Sequence, residues 1–327
     1  MKVDTFVQEL ESSVEFKLLD KVVKGEVSVE DACHEVVRMT FSIFAAAGKG
    51  HDWFGVGNSD YRISLSTLEF AERLEPSKQT KLVEFMLHLN KQAAIDPSTN
   101  ILLRSQGSAF WADMPSFGYT ELETWEHFGG DYHNGNLPNL QFQLQKMLIC
   151  IDPCDPKMNA DQRDRWTKLN AFDAQLTQAA DVIYPPPEVY RYPKEGIKFP
   201  IHPLDKSLRA MQVMQMTLES DHAVGSLVDT AAMEATCLWF IYAADQLWAN
   251  SVKDYTYPRS YSTGPGGKLW GVCRNKHWSG FTRDRWEVWE EVLEDASGTW
   301  GDERMMNMIN EALESMRRAV RNKVKRL

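Results

Sequence analysis

The residues best suited by type to move protons lie in the segment EHFGGDYHNG, where His127, Asp131 and His133 fall within seven positions. Histidine titrates near neutrality and aspartate below it, so the three together offer general acid–base chemistry. The intervening glycines would let a loop gather them. The i,i+4 spacing that makes paired histidines on a helix a zinc site is absent, and no metal is assigned to them. Asp113, in the turn ADMPSFGY shortly before, is the fourth candidate for acid–base work.

Other motifs fail on inspection. STGPGGKLW carries Gly267-Lys268, but Ser262 stands where a phosphate loop needs its first glycine. Leu269 replaces the magnesium-binding hydroxyl of that motif. Cys150 and Cys154 have no second cysteine pair, and structural zinc takes four ligands. Glu290, Glu291, Glu294 and Asp295 in WEEVLED invite comparison with metal-dependent terpene cyclases, yet the paired aspartates are missing and the run reads as a solvated helix face. No cofactor is expected.

Eleven tryptophans are many for 327 residues. A buried indole wants a partner for its N–H, so tryptophans gather at helix contacts and in pockets. Trp111, Trp166, Trp239, Trp248 and Trp270 are the candidates for lining an aromatic pocket. The helix DQRDRWTKLNAFDAQLTQAA adds two polar groups. At 100° per residue, Trp166, Asn170 and Asp173 lie within about 60° of one another, flanking an apolar stripe of Leu169, Phe172 and Leu176. Asn170 and Asp173 therefore join the ligand-binding candidates.

The elements that must position these groups read as helices throughout. Phe6, Leu10, Val14, Leu18 and Val22 predict one amphipathic helix that Gly25 ends. Ser28 caps the next, with Asp31 at the capping-box position. GKGHDWFGVGNSD reads as a glycine-rich loop before a short helix around 65–74. Ile101 to Trp111 is predicted helical, and Thr120 is predicted to cap a short helix ending at His127. Pro138 opens a helix to Ile149. Helices follow over 159–182, 204–218 and 224–248. Residues 249–280 form a long aromatic loop, then Thr282 caps a helix and Met305 to Val320 marks the last. The expected fold is all-α, a multi-helix bundle of about ten to twelve helices in two packed layers. We expect one all-helical domain, residues 1–327, with a seam at the Pro-rich connector 184–203.

Bulk properties narrow the partners. A net charge of −10 disfavours non-specific contact with nucleic acid or anionic lipid, so neither nucleic acid nor membrane is expected as a partner. No run of about 18 apolar residues is present. The N-terminus lacks the apolar core of a secretory signal. Five cysteines, an odd number with Cys33 and Cys237 on apolar helix faces, fit reduced thiols in the cytoplasm. The sequence sets no oligomeric state.

Several segments together resemble the domain-of-unknown-function 3632 family. They are LVEFMLHL, FWADMPSFG, RDRWTKLNAFDAQL, LRAMQVMQMTLE and WSGFTRDRWEVWEEVLED, in the expected order over roughly residues 65–316. Trp166, Asn170, Phe172 and Leu176 form one of the more specific patterns, and Gly280-Phe281 with Trp286 and Trp289 the other. Asp173 departs from the usual apolar residue at its position. The resemblance implies a fungal source and an all-α fold, and transfers no catalytic residue. The leading expectation is a small-molecule-binding protein, extending to a cofactor-independent enzyme of fungal secondary metabolism acting on a small hydrophobic molecule. The rival is a noncatalytic interaction or regulatory protein.

Overall fold

The N-terminal apolar pattern folds as two helices rather than one in a computed structural model of the chain. That structure describes residues 3–46, 53–96, 100–105, 108–127, 154, 158–182, 201–219, 224–227, 230–257, 278 and 280–324. Helix α1 spans Val3–Ser12 and α2 spans Val14–Lys24. Ser13 divides them by accepting a hydrogen bond from the Phe16 N–H at 3.1 Å, as an N-cap does. The break shifts the register. Val14 is 63% exposed, and α2 buries Phe16, Leu19 and Val22 instead. Gly25 ends α2 in the left-handed conformation at φ 78°, which only glycine adopts without cost.

The chain divides into two compact units, Met1–Ile151 and Asp152–Leu327. The connector 184–203 falls within the second unit's span, and of it only residues 201–203 are described. Among the described residues there are eleven α-helices and one two-stranded sheet. The fold is all-α.

The first unit continues with α3 (Val29–Ala46), α4 (Trp53–Arg73), α5 (Thr80–Asn90) and α6 (Phe117–His127). Ser28 caps α3 through a 3.0 Å bond from the Asp31 N–H. Helix α4 is twice the predicted length, because residues 53–60 of the expected glycine-rich loop are helical and bury Ser59 and Asp60. The predicted helix over 101–111 is instead a hairpin, pairing Arg104 with Ala109 and Ser105 with Ser108. Trp111 follows at φ 65°, a conformation no helix accepts. The Asn90 side chain holds that turn by donating to the Ala112 carbonyl at 2.7 Å. Thr120 lies inside α6 rather than at its start, and its hydroxyl bonds the Ser116 carbonyl at 2.5 Å.

Asp60 sits at the N-terminal end of α6, where its Oδ2 accepts from the Ser116 N–H at 3.0 Å. Its other oxygen, Oδ1, is buried without a hydrogen-bond partner among the described residues. Burial pushes this carboxyl up from 3.8 to about 6, against the opposing pull of the Ser116 hydrogen bonds. A carboxyl raised in the fold contributes stability fully below its unfolded value and loses it as pH rises through the folded value. The gap corresponds to about 3 kcal/mol. Asp60→Asn keeps the acceptor for Ser116 and removes the charge. We expect it to raise stability at pH 7 by about 1–2 kcal/mol and to flatten the pH dependence between 4 and 6. Urea denaturation at a series of pH values reads this, and unchanged curves refute it.

The second unit contains α7 (Ala160–Ala180), α8 (Ser207–Thr217), α9 (Ala232–Val252), α10 (Arg283–Ser297) and α11 (Glu303–Val324). Asn159 starts α7 with a reciprocal capping box to Gln162. Helix α9 is the hub of this unit, packed on α7, α8, α10 and α11. Its interior is apolar on nearly every side, from Cys237 and Leu238 to Ala244 and Leu247. Arg317 of α11 pairs with both Glu290 and Glu294 of α10, so that part of the acidic WEEVLED run is a solvated ion-pair face.

Candidate functional site: a buried polar seam

Helix α7 buries its polar edge as deeply as its apolar stripe. Leu169, Phe172 and Leu176 are fully buried, and so are Trp166, Asn170 and Asp173, all at 0% exposure. Thr177, at 1%, extends the polar edge by one more turn. Two helical faces of α7 therefore lie inside the unit, and the polar one must be met by polar groups of its neighbours.

Asn170 is the first junction. Its Nδ2 donates to the Trp166 carbonyl one turn back at 2.9 Å. Its Oδ1 accepts from the Trp239 indole N–H of α9 at 3.0 Å. One side chain thus satisfies its own helix and fixes a tryptophan of the hub helix. Further along, the Thr177 hydroxyl accepts from the Lys206 N–H at 2.9 Å, where α8 begins. The next residue, Ser207, shares a hydrogen bond with the Tyr257 hydroxyl. The Tyr257 ring meets Tyr255 edge to face at 5.0 Å, and the Tyr255 N–H donates to the Asn250 carbonyl at 3.0 Å. Gln246 closes the circuit. Its Nε2 donates to the Val182 carbonyl at 2.8 Å and to Asn250 Oδ1 at 3.3 Å. Its backbone N–H donates to Gln178 Oε1 of α7 at 3.2 Å.

The result is a ring of buried polar groups running through α7, the start of α8, the C-terminal half of α9 and the segment after it. Asp173 lies on the same edge of α7, between Asn170 and Thr177. A carboxylate at full burial is among the most costly groups to place in a helical core. Asp205 and Lys206, at 6% exposure each, add charged groups at the start of α8.

A second buried polar cluster in this unit is closed on itself. Glu219 and Arg285 are both at 0% exposure and form a two-pronged ion pair, with Nε to Oε1 at 2.5 Å and Nη2 to Oε2 at 2.7 Å. The Trp289 indole N–H donates to the same Oε1 at 2.8 Å, and Arg285 Nη1 donates to the Gly280 carbonyl at 2.9 Å. The guanidinium carbon lies 5.8 Å from the Trp278 ring centre and 5.7 Å from that of Trp289. Every feature of this knot ties α8, the 280–281 turn and α10 together, so its role is structural.

The sequence candidates separate under this geometry. Trp166, Asn170, Asp173 and Trp239 come together at the seam. Trp111 belongs to the first unit, fully buried, with its indole N–H bonded to Thr40 Oγ1 at 3.2 Å. Asp113 is exposed and accepts from the Ala109 N–H at 2.6 Å, which braces the turn after the hairpin. Trp248 is half-buried and packs on Trp286 with ring centres 5.3 Å apart. His127 is the last residue of α6, and its side chain lies outside the described residues. Asp131, His133 and Trp270 also lie outside them. Sequence reasoning missed Gln246, Asn250 and Ser207, which carry no motif. It also missed Glu219 and Arg285, although each left a signal. A cation in the first turn of α10 and an acid just after α8 both oppose their helix dipoles, and such misplaced charges call for a partner.

Comparison with known proteins agrees with the segment resemblance. Residues 66–293 match the family described as Protein of unknown function (DUF3632), and the chain belongs to that family. The match runs from the C-terminal part of α4 to most of α10, and so includes the seam. No curated protein and no solved structure matches the chain. Among the described residues no helix is long and apolar enough to cross a membrane.

Proposed function

We propose that this chain is a small-molecule-binding protein whose recognition element is the polar seam of the second unit. The observation that carries the reading is the run of polar contacts from Thr177 and Ser207 through Tyr257 to Asn250 and Gln246, with Asn170 on the same edge of α7, buried inside an otherwise apolar helical interior. Ligand sites pair an apolar lining with a few convergent polar groups, and this interior has that composition. Asp173, fully buried on the same edge of α7, adds a carboxyl group to that interior. The rival interaction reading has less support in this unit. The exposed large apolar side chains among the described residues, Val14, Ile95, Ile101 and Tyr119, all belong to the first unit.

The reading places the protein in the reducing cytoplasm. Cys33 and Cys237 are buried free thiols, and burial pushes the Cys33 thiol up to about 12 and raises that of Cys237 as well. Native mass spectrometry of full-length protein from its own host tests the function. A small-molecule adduct present under native conditions and lost on denaturation is the expected result. Its absence, with no thermal stabilisation by a host metabolite extract, overturns the reading.

A further inference from the structure

The most informative atom in the seam is Asn250 Nδ2. Asn250 is 4% exposed, and this nitrogen is a buried donor with no hydrogen-bond partner among the described residues. Its orientation is dictated by its neighbours. The Val182 carbonyl only accepts, so Gln246 must turn its Nε2 toward it. The same Nε2 reaches Asn250, so Asn250 must present its oxygen there. Exchanging the Asn250 oxygen and nitrogen would set two donors face to face. The donor is therefore locked away from Gln246, with both of its hydrogens unused. Trp286 Nε1 is another buried donor without a partner among the described residues, but its ring is packed against Phe240 and Trp248.

We propose that Asn250 is a ligand-binding residue whose Nδ2 donates to the carbonyl oxygen of a small, uncharged, largely apolar molecule. The inference rests on the small-molecule reading of the seam. It specifies the ligand by chemistry. A neutral amide donor recovers what a buried carbonyl loses on leaving water, but does not offset the desolvation of an anion. An acceptor-only group is also the complement that two unused N–H bonds require.

The test uses the full-length chain with cyclohexanone and cyclohexane, the same ring with and without a carbonyl. Binding is followed by NMR titration. Wild type is expected to bind cyclohexanone about tenfold more tightly than cyclohexane, as one added hydrogen bond implies. Asn250→Leu is expected to bind the two alike. The Asn250 side-chain amide resonance of wild type, assigned by its loss in Asn250→Asp, should move with cyclohexanone and stay with cyclohexane. That measurement decides the matter if Asn250→Leu does not fold. An unmoved resonance, a preference kept in Asn250→Leu, or no binding of cyclohexanone overturns the assignment. A native adduct found in wild type and retained in Asn250→Leu overturns it while leaving the small-molecule reading intact.

Discussion

Arg285→Ala is expected to destabilise the second unit by about 3–5 kcal/mol, the usual cost of stripping one partner from a fully buried ion pair. The loss is large because Glu219, at 0% exposure, stays behind as a carboxylate with only the Trp289 indole N–H among the bonds described above. The Gly280 carbonyl loses its donor in the same step. Replacing both charges together is different. Arg285→Met with Glu219→Met removes the two desolvation costs at once, and we expect it to recover most of the loss. A residue of about 1 kcal/mol should remain from the unpartnered Trp289 N–H. Chemical denaturation followed by tryptophan fluorescence measures all three variants. A double variant as unstable as Arg285→Ala would show that the side chains act by packing alone.

Gly280→Ala is the second large effect. Gly280 holds φ 86°, and a Cβ there would lie 2.3 Å from the Tyr255 carbonyl oxygen and 2.7 Å from Thr256 Cα. Both obstacles are backbone, and the Tyr255 carbonyl already accepts from the Phe281 N–H at 2.8 Å, so it cannot withdraw without losing that bond. Left-handed strain and overpacking together predict a loss of about 3 kcal/mol. The shift would also move Tyr255, whose ring meets Tyr257 in the seam, so the near-UV circular dichroism should change as well. Gly280 and Arg285 share a hydrogen bond, so the double variant should lose less than the sum of the singles. A loss below about 1 kcal/mol, with an unchanged aromatic spectrum, contradicts the packing described for this turn.

The seam and the knot differ in what they leave open. In the knot, the Arg285 donors Nε, Nη1 and Nη2 and both Glu219 oxygens meet protein groups, and two indoles cover the guanidinium. In the seam, a locked amide keeps a donor that meets no group among the described residues. Satisfied buried networks specify a fold, whereas an unused buried donor is a place where a further molecule gains a hydrogen bond. This contrast, rather than the number of aromatic residues, is why the seam is the better candidate site. Of the tryptophans expected to line a pocket, Trp111, Trp166 and Trp239 are buried, and Trp111 and Trp239 have their N–H groups engaged by Thr40 and Asn170.

Local pattern was enough for the helices, and it failed where a neighbour decided. The apolar period of α7, the Asn159 and Thr282 caps and the Gly25 stop are all written in residues within one turn of the feature they set. The 101–111 segment misled because its apolar spacing suits either a helix or a short hairpin, and the choice came from Trp111 docking on Thr40, 71 positions away. Ser13 misled in the opposite way. Its capping role is local, but the four-residue apolar spacing that runs across it from Phe6 to Val22 concealed the break.

The sequence by itself determined that this protein is all-helical, that it belongs with its family, and that Trp166, Asn170 and Asp173 share one edge of a helix. These follow from period, capping and residue identity, which act over a few positions. Only the tertiary structure decided that this edge faces inward, that Asn170 meets Trp239 across 69 positions, and that Gln246 and Asn250 complete the ring. A helix fixes the angle between its side chains but not which of its faces is covered. Burial of that face, and with it the chemistry of Asp173 and Asn250, is set by elements that the local sequence does not contain.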